Sequence, residues 1–471
     1  MTILQISILA VVALLLGRLN KGRQLALLAV SAFVVFWLQG AEPFVSLGFW
    51  LPTGTLLITV VAWALTSAPE MRGWKENWPA AAVLAGVSLL VDLNRYFKIT
   101  QVYMSTTPPV RLTVLVLVSI AAAALVLARW QKSHPLLQVL AFIAIILIFV
   151  FLKTPALTKL ALTYLASTHG QNPNAAGVAV SWLGFSYLAF RLMHTIRDRQ
   201  AGRLPAVTLQ EYVNYVIFFP AFTAGPIDRL ERFVKDLRRP LPLADEDWIE
   251  AGTRLFVGLF KKFVVADLLA VISISDVLVA QVKGAPWMWL FLYAYSFRIY
   301  FDFSGYTDVA IGLGRLLGIR LPENFAAPYL KVNLTQFWNS WHMTLTQWFR
   351  AYFFNPITRA LRGGRKLAVW IIIFVTQIST MVLIGLWHGV AVNFALWGAW
   401  HGVGLFIHNR WSEWVRGRLP AWTQSRRGQI AMNALGIFLT FNYVTLGWLF
   451  FNLSTPAIAW QAILKLFGFA G

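Results

Sequence analysis

Seven histidines, nineteen carboxylates and no cysteine are the acid–base and nucleophilic means this sequence offers. The lack of thiols excludes thiolate nucleophiles, disulfides, cysteine-type zinc clusters and thioester intermediates on the chain itself. Neither a G-x-S-x-G elbow nor a Walker sequence occurs. A neutral imidazole, whose ordinary pKa lies near working pH, is then the best general base available for a hydroxyl. Four histidines fall between 342 and 408: His342, His388, His401 and His408. His388 sits in Ile384-Gly385-Leu386-Trp387-His388-Gly389, inside an apolar run that would otherwise span a membrane, where an ionisable group is a functional hypothesis by default. Trp338, Trp341, His342, Leu345 and Phe349 follow a helical spacing, which puts His342 on an aromatic face. A histidine there serves as readily in a structural hydrogen bond as in catalysis. His401, in Trp400-His401-Gly402, follows His388 by thirteen residues. On one straight helix that is about 20 Å along and roughly 220° around, so those two cannot meet at one reacting atom. The better pair is His342 with His388, brought together by folding. His408, beside Asn409 and Arg410, reads as a helix end at the interface. An intramembrane histidine serving a hydroxyl acceptor suggests acyl transfer; a proton relay or transporter is the rival, because His and Asp also mark ion pathways.

Two other polar stretches interrupt apolar sequence. Phe218 to Arg229 holds Pro220, Gly225 and Pro226, which break any helix and read as a helix end with its loop or as a re-entrant turn. Tyr300 to Asp308 carries Asp302 and Asp308, six residues apart. They could hold a metal, bind a cation or cap a helix break. Without a third ligand the metal reading is weak, and no metal site is expected.

These residues must be held by a membrane protein. Of 471 residues 58% are hydrophobic and 13% charged, against about 25% charged in soluble domains. Mean hydropathy is +0.64. Fourteen apolar runs, near 3–17, 24–40, 47–66, 79–93, 110–129, 135–152, 175–193, 212–224, 252–281, 287–304, 367–386, 388–408, 431–451 and 457–470, imply an all-α bundle of about 11–13 spans. The first run lacks a basic n-region and a cleavage site and reads as a membrane helix rather than a signal peptide. The net charge of +21 would suggest nucleic acid in a soluble chain. Here the bases cluster at Lys21/Arg23, Arg197 to Arg203, Arg229 to Arg239, Arg359 to Lys366 and Arg410 to Arg427, as the positive-inside rule predicts for cytoplasmic loops. No nucleic-acid partner is expected, and the N-terminus is placed outside. Polar residues become dense only after residue 180.

The ordered set Gly184-Phe185-Ser186-Tyr187, Gly225-Pro226-Ile227, Phe260-Lys261-Lys262, Tyr300 to Tyr306, Pro322-Glu323-Asn324-Phe325, Phe337 to Leu345, Gly385 to Gly389 and Trp397 to Gly402 resembles the membrane-bound O-acyltransferase family. The likeness covers roughly 180–410 and is greatest to the bacterial polysaccharide-modifying branch, of the alginate O-acetylation and teichoic-acid D-alanylation types. One departure is Ala351-Tyr352 after Arg350, where the family commonly has Asp-Tyr.

The resemblance implies one integral membrane domain over 1–471: scaffold helices over 1–175, a catalytic core over 176–410 and C-terminal helices over 411–471. It implies a ring of helices around a tunnel, with His388 as the invariant histidine and His342 as the second polar position. Trp338, Trp341, Trp387, Asn339 and Asp302 are expected to line the tunnel or meet substrate. Arg229, Arg232, Lys235, Arg238 and Arg239 would attract an anionic donor such as acetyl-CoA or an acyl carrier protein. No bound cofactor is expected. The implied activity is acyl transfer, acetyl first, from the cytoplasm to a cell-surface or exported polysaccharide, in a multi-pass protein of the bacterial inner membrane. A periplasmic esterase-like partner completes the transfer in several members. D-alanyl transfer from a carrier protein is the alternative within the class, and a transporter, a flippase or a non-enzymatic scaffold the alternatives outside it.

The charge bias is directly testable. Single cysteines placed in the loops at 229–239 and 359–366 should resist an impermeant maleimide in intact spheroplasts and react after permeabilisation. Labelling of both loops in intact spheroplasts would reverse the orientation.

Overall fold

Apolar runs become helices because only a helix satisfies its own backbone hydrogen bonds in hydrocarbon. In the computed structural model the elements among the described residues are helical throughout, with no strand. The structure describes residues 1–40, 46–97, 107–130, 135–168, 180–239, 245–364, 367–415, 418 and 425–469. Of the basic clusters, Arg365, Lys366 and Arg416 lie outside the described residues, as do 175–179 of one expected span and 470 of another. The chain divides into two compact units, Met1–Leu255 with Val309–Pro322, and Phe256–Asp308 with Glu323–Gly471.

The first unit opens with α1 (Ile3–Gly17), α2 (Arg23–Leu38), α3 (Leu47–Thr66), α4 (Trp74–Phe97) and α5 (Val110–Trp130). It continues through α6 (Leu136–Lys153), α7 (Pro155–Thr168), α8 (Phe185–Gln200), α9 (Leu209–Val216) and α10 (Leu230–Arg238). Helix α3 is its centre and packs against α2, α4, α5, α6, α8 and α9. Accordingly 61% of its apolar window is buried, against 11% for α5 and α6, whose Leu, Val and Ile side chains face outward as lipid contact requires.

The second unit contains α12 (Asp267–Val271), α13 (Asp276–Gln281), α15 (Leu334–Trp338), α16 (Met343–Phe349) and α17 (Asn355–Gly364). The long helices α18 (Val369–His388), α19 (Val392–Val415) and α20 (Arg426–Asn452) follow, then α21 (Pro456–Leu466). Helices α11 (Asp245–Phe260) and α14 (Ala285–Leu316) contribute residues to both units. Two π-helical segments, Lys261–Ala266 and Arg350–Phe354, interrupt the regular pattern; such segments are frequent at functional sites.

Among the described residues, seven helical stretches are long and apolar enough to cross a membrane, α3, α4, α5, α6, α18 and α20 together with Asp245–Gln281. Helices α1 and α2, at 15 and 16 residues, rise only about 22–24 Å against about 30 Å of hydrocarbon. The 32 residues of α14 and 24 of α19 are long enough but too polar to join the seven. These two carry Asp302, Asp308 and His401.

Three local expectations are corrected. Residues 338–349 are not one helix: α15 ends at Trp338, and His342 (φ 42°, ψ 54°) is the left-handed residue that starts α16. Asp302 and Asp308 do not cap a break; they lie inside α14 and pair with lysines. His388 and His401 do not share a straight helix, because α18 ends at His388 and the chain reverses through Gly389 to Ala391. The broken stretch after α9 is a buried loop whose carbonyls are satisfied from the side. Arg191, itself buried, donates to the Val216 carbonyl at 3.0 Å and the Ala221 carbonyl at 2.6 Å.

The hairpin of α18 and α19 depends on the absence of side chains at its contact. A Cβ on Gly398 would run into the Met381 carbonyl, and one on Gly385 into that of Phe394. Gly398→Ala should therefore destabilise the second unit by about 1–3 kcal/mol through overpacking. Thermal unfolding of the purified protein in detergent checks this.

Candidate active site

The hairpin reversal places His388 at the C-terminal end of α18, and the left-handed turn places His342 at the start of α16. Both line one cavity of about 200 Å³ with Asp302, Trp338 and Trp341. Its remaining wall is Ile299 and Phe303 from α14, Leu345 from α16, Ile384 from α18, Trp397 from α19, and Trp448 and Phe451 from α20. Trp387 packs behind, its ring centroid 6.1 Å from that of His342 and 4.5 Å from that of His388. Five of the seven expected catalytic and tunnel residues thus share a wall, and Trp387 touches both imidazoles. Asn339 is absent from this wall and accepts a hydrogen bond from Arg350 at 2.6 Å.

His342 is fixed by a residue that the residue-by-residue reading did not single out. Asn324, fully buried, accepts at its Oδ1 from the Thr344 backbone N–H at 3.1 Å and the Thr344 hydroxyl at 2.8 Å. A backbone N–H can only donate, so that atom must be the amide oxygen. The His342 Nδ1, 3.2 Å from the same oxygen, must then carry its proton and donate, which leaves the lone pair on Nε2. The Met343 N–H donates to the Asn324 carbonyl at 2.9 Å and holds the turn from the other side. Holding a non-glycine residue in the left-handed region costs about 1–2 kcal/mol. These bonds and the burial of His342 between Phe303 (4.7 Å) and Trp387 offset it. The only sequence signal for Asn324 was its place in Pro322-Glu323-Asn324-Phe325.

His388 is partly exposed to the cavity, with the Phe451 ring at 4.8 Å and the Trp397 ring at 5.6 Å. His401 lies beyond Trp397, 5.0 Å away, and is fully buried against Trp338 at 5.1 Å. It does not line the cavity, and neither of its ring nitrogens has a hydrogen-bond partner among the described residues. Trp448 and Phe451 carried no signal in the sequence, since an aromatic in an apolar helix is the commonest thing to find there.

A second cavity of about 210 Å³ shares Trp338 and Ile384 with the first. It is more polar, being lined also by Thr335, Thr346, Arg350, Gln377, Thr380 and Asn409. One indole and one aliphatic side chain therefore line both an aromatic chamber holding two imidazoles and a chamber holding a guanidinium.

The expected donor-side bases lie in the first unit, on and beside α10. Arg232 is bound by Asp228 through both guanidinium nitrogens that face it, and also reaches the Arg320 carbonyl. Arg238 is bound likewise by Glu211, which holds its guanidinium charged, above its ordinary range. Arg229, Lys235 and Arg239 are exposed. Two of the five bases are therefore paired with buried carboxylates, while their own side chains stay 40% and 46% exposed. No group of three or more His, Asp or Glu able to hold a metal occurs among the described residues.

A family model, MBOAT, membrane-bound O-acyltransferase family, matches residues 94–455. The chain belongs to that family. It is an O-acyltransferase and a multi-pass membrane protein, and as such requires an acyl donor and an acceptor. Among individual relatives, the teichoic acid D-alanyltransferase of Streptococcus thermophilus is 32% identical over 299 residues, covering 59% of this chain and 70% of that protein. The probable alginate O-acetylase AlgI of Pseudomonas fluorescens is 34% identical over 290 residues, 61% of this chain and 54% of its own length. The peptidoglycan O-acetyltransferase of Helicobacter pylori is 32% identical over 267 residues, 55% and 47% respectively.

Because His401 is boxed in by rings and spends no nitrogen on a hydrogen bond, its role is packing. His401→Phe should keep acylation within about threefold, because an apolar ring replaces a buried polar one with little loss. His401→Ala should lower folded abundance, with a cavity cost of about 3 kcal/mol. Activity per folded molecule in membranes separates the two; a well-folded but inactive His401→Phe protein would return His401 to the catalytic set.

Proposed function

We propose that this O-acyltransferase moves a short acyl group, acetyl first, from a cytoplasmic donor to an exported or cell-surface polysaccharide, across the bacterial inner membrane. The observation that carries the reading is the cavity of about 200 Å³ shared by His342 and His388. Two imidazoles and one carboxylate face it among rings and aliphatic side chains, which suits a small acyl ester with an attacking hydroxyl. The names of the relatives agree, since each acts on an envelope or exported polymer. Delivery to the polymer is direct or goes through a periplasmic esterase-like partner.

The chemistry balances on these residues. The acceptor hydroxyl gives its proton to the His388 imidazole as its oxygen attacks the acyl carbonyl. The new C–O bond forms, the C–S bond to the donor breaks, and the leaving thiolate takes the proton back from the imidazolium. His388 is the last residue of α18, where the negative end of the helix dipole favours the charge it acquires. His342, its tautomer set by Asn324, presents a lone pair with which to orient the acceptor hydroxyl or pass on its proton. The surrounding indoles exclude water, which would otherwise hydrolyse the donor. Acetyl-CoA or a carrier protein would reach the enzyme through the polar chamber that shares Trp338 and Ile384 with the aromatic one.

D-alanyl transfer from a carrier protein is the second reading. What favours it is the span of the match, 70% and 72% of the D-alanyltransferases from S. thermophilus and Bacillus subtilis. Mild alkaline release from the cell envelope tells the two apart by yielding acetate or alanine. His388→Ala should cut the released acid about 10²–10⁴-fold at normal protein abundance. His342→Ala should also lower it. Unchanged release from His388→Ala cells would remove the catalytic assignment.

A further inference from the structure

Lys261 and Lys262 are adjacent in sequence, while Asp302 and Asp308 stand three residues before and three after Gly305. On a helix, those offsets place the two carboxylates about 60° to either side of the glycine and about 4.5 Å above and below it. Gly305 is pressed onto the neighbouring segment: a Cβ there would lie 2.7 Å from the Gly258 carbonyl and 2.9 Å from the Lys262 nitrogen. The neighbour is the π-helical turn Lys261–Ala266, whose wider winding keeps successive side chains closer in direction than an α-helix would. Both lysines can therefore reach α14. Lys261 pairs with Asp308 at 2.7 Å, and Lys262 pairs with Asp302.

The two pairs have the same chemistry and different surroundings. Asp308 is 8% exposed and lies off the cavity, whereas Asp302 is 52% exposed and forms part of the cavity wall with His342 and His388. The first pair is internal. The second carries its carboxylate on the cavity wall shared with the histidines, more exposed than its ammonium. We propose that Lys262 is a positioning residue that holds the Asp302 carboxylate at the histidine cavity to accept a hydrogen bond from the hydroxyl-bearing acceptor. The inference rests on the acylation reading above and names the acceptor's polar contact within it.

A carboxylate accepts hydrogen bonds and cannot donate them. The reacting end of an acetyl thioester has no hydrogen to give, so the complement to Asp302 is a hydroxyl. The rest of the wall, apart from the imidazoles, is indole, phenyl and aliphatic, where a charge-assisted hydrogen bond is stronger than in water. Without Lys262 the carboxylate would lose the partner that fixes its direction and makes its charge tolerable in apolar surroundings.

The test compares the two pairs as mutual controls, in membranes supplied with acetyl-CoA as donor and either glycerol or an alginate oligosaccharide as acceptor. Lys262→Met and Asp302→Asn should raise the acceptor KM about tenfold or more, with donor KM unchanged and kcat within about threefold. Lys262→Arg, which keeps the cation, should restore acceptor KM to within about threefold. Lys261→Met should lower folded abundance and leave both KM values alone. The inference is overturned if Lys262→Met merely mirrors Lys261→Met, or if only donor KM moves, which would put the carboxylate on the acyl donor. No transfer by the wild-type protein to either acceptor, in membranes that retain the periplasmic partner and with acetyl-CoA or an acetyl carrier protein supplied, would overturn the acylation reading and this inference with it.

Discussion

A polar group inside a protein surrounded by lipid has no water to fall back on, so it must find its partner within the chain. That single constraint organises most of what is unusual here. Arg191 is sealed in the first unit because the loop after α9 has carbonyls that no helix satisfies, and its guanidinium supplies the missing donors. Asp228 and Glu211 hold Arg232 and Arg238 for the same reason. In the second unit, Lys261 and Lys262 answer Asp308 and Asp302, and Asn324 answers both Thr344 and His342. Apart from Asp228 with Arg232, four residues apart, each is a long-range pairing that fixes irregular backbone which a sequence of apolar helices could not hold by itself.

The candidate site answers a different demand, the exclusion of water. Its wall is built almost wholly from rings and branched aliphatics contributed by α14, α15, α16, α18, α19 and α20, with Asp302 and the two histidines as its titratable groups. Aromatic side chains suit the task because they are large and stiff and exclude water without demanding many partners. The tilted contacts of Trp341 with Trp448 (5.1 Å) and Tyr329 (5.7 Å) lock the wall from behind, and the Tyr329 hydroxyl donates to the Ser296 carbonyl at 2.7 Å. A rigid apolar chamber strengthens every electrostatic interaction made inside it, including those that an imidazolium or an attacking hydroxyl would make.

Glycine contributes by absence. The Trp-His-Gly sequence occurs twice, at Trp387-His388-Gly389 and Trp400-His401-Gly402, and the two histidines end in opposite circumstances. One finishes a helix at a chamber; the other is buried mid-helix against Trp338 and Trp397. Identical local sequence therefore says little about role. The reversal at Gly389, and the close passage of α18 against α19 at Gly385 and Gly398, decide which histidine reaches the cavity.

The sequence by itself determined the class of protein, the positions of most helices, and which ionisable groups fall within apolar runs. Those follow from composition, hydropathy and the scarcity of ionisable groups in apolar runs, quantities that a linear string carries in full. It also showed that Asp302 and Asp308 needed an explanation, without supplying the lysines that provide it. Only the tertiary structure decided that residues 338–349 break at a left-handed His342, that Asn324 sets its tautomer, and that Trp448 and Phe451 close the chamber. It also decided that Arg232 and Arg238 are already spent on carboxylates. The physical reason is common to all of these. A periodic pattern records which face of a helix is apolar, whereas a hydrogen bond or ion pair between segments far apart in sequence is recorded nowhere until the chain brings its two ends within about 3 Å.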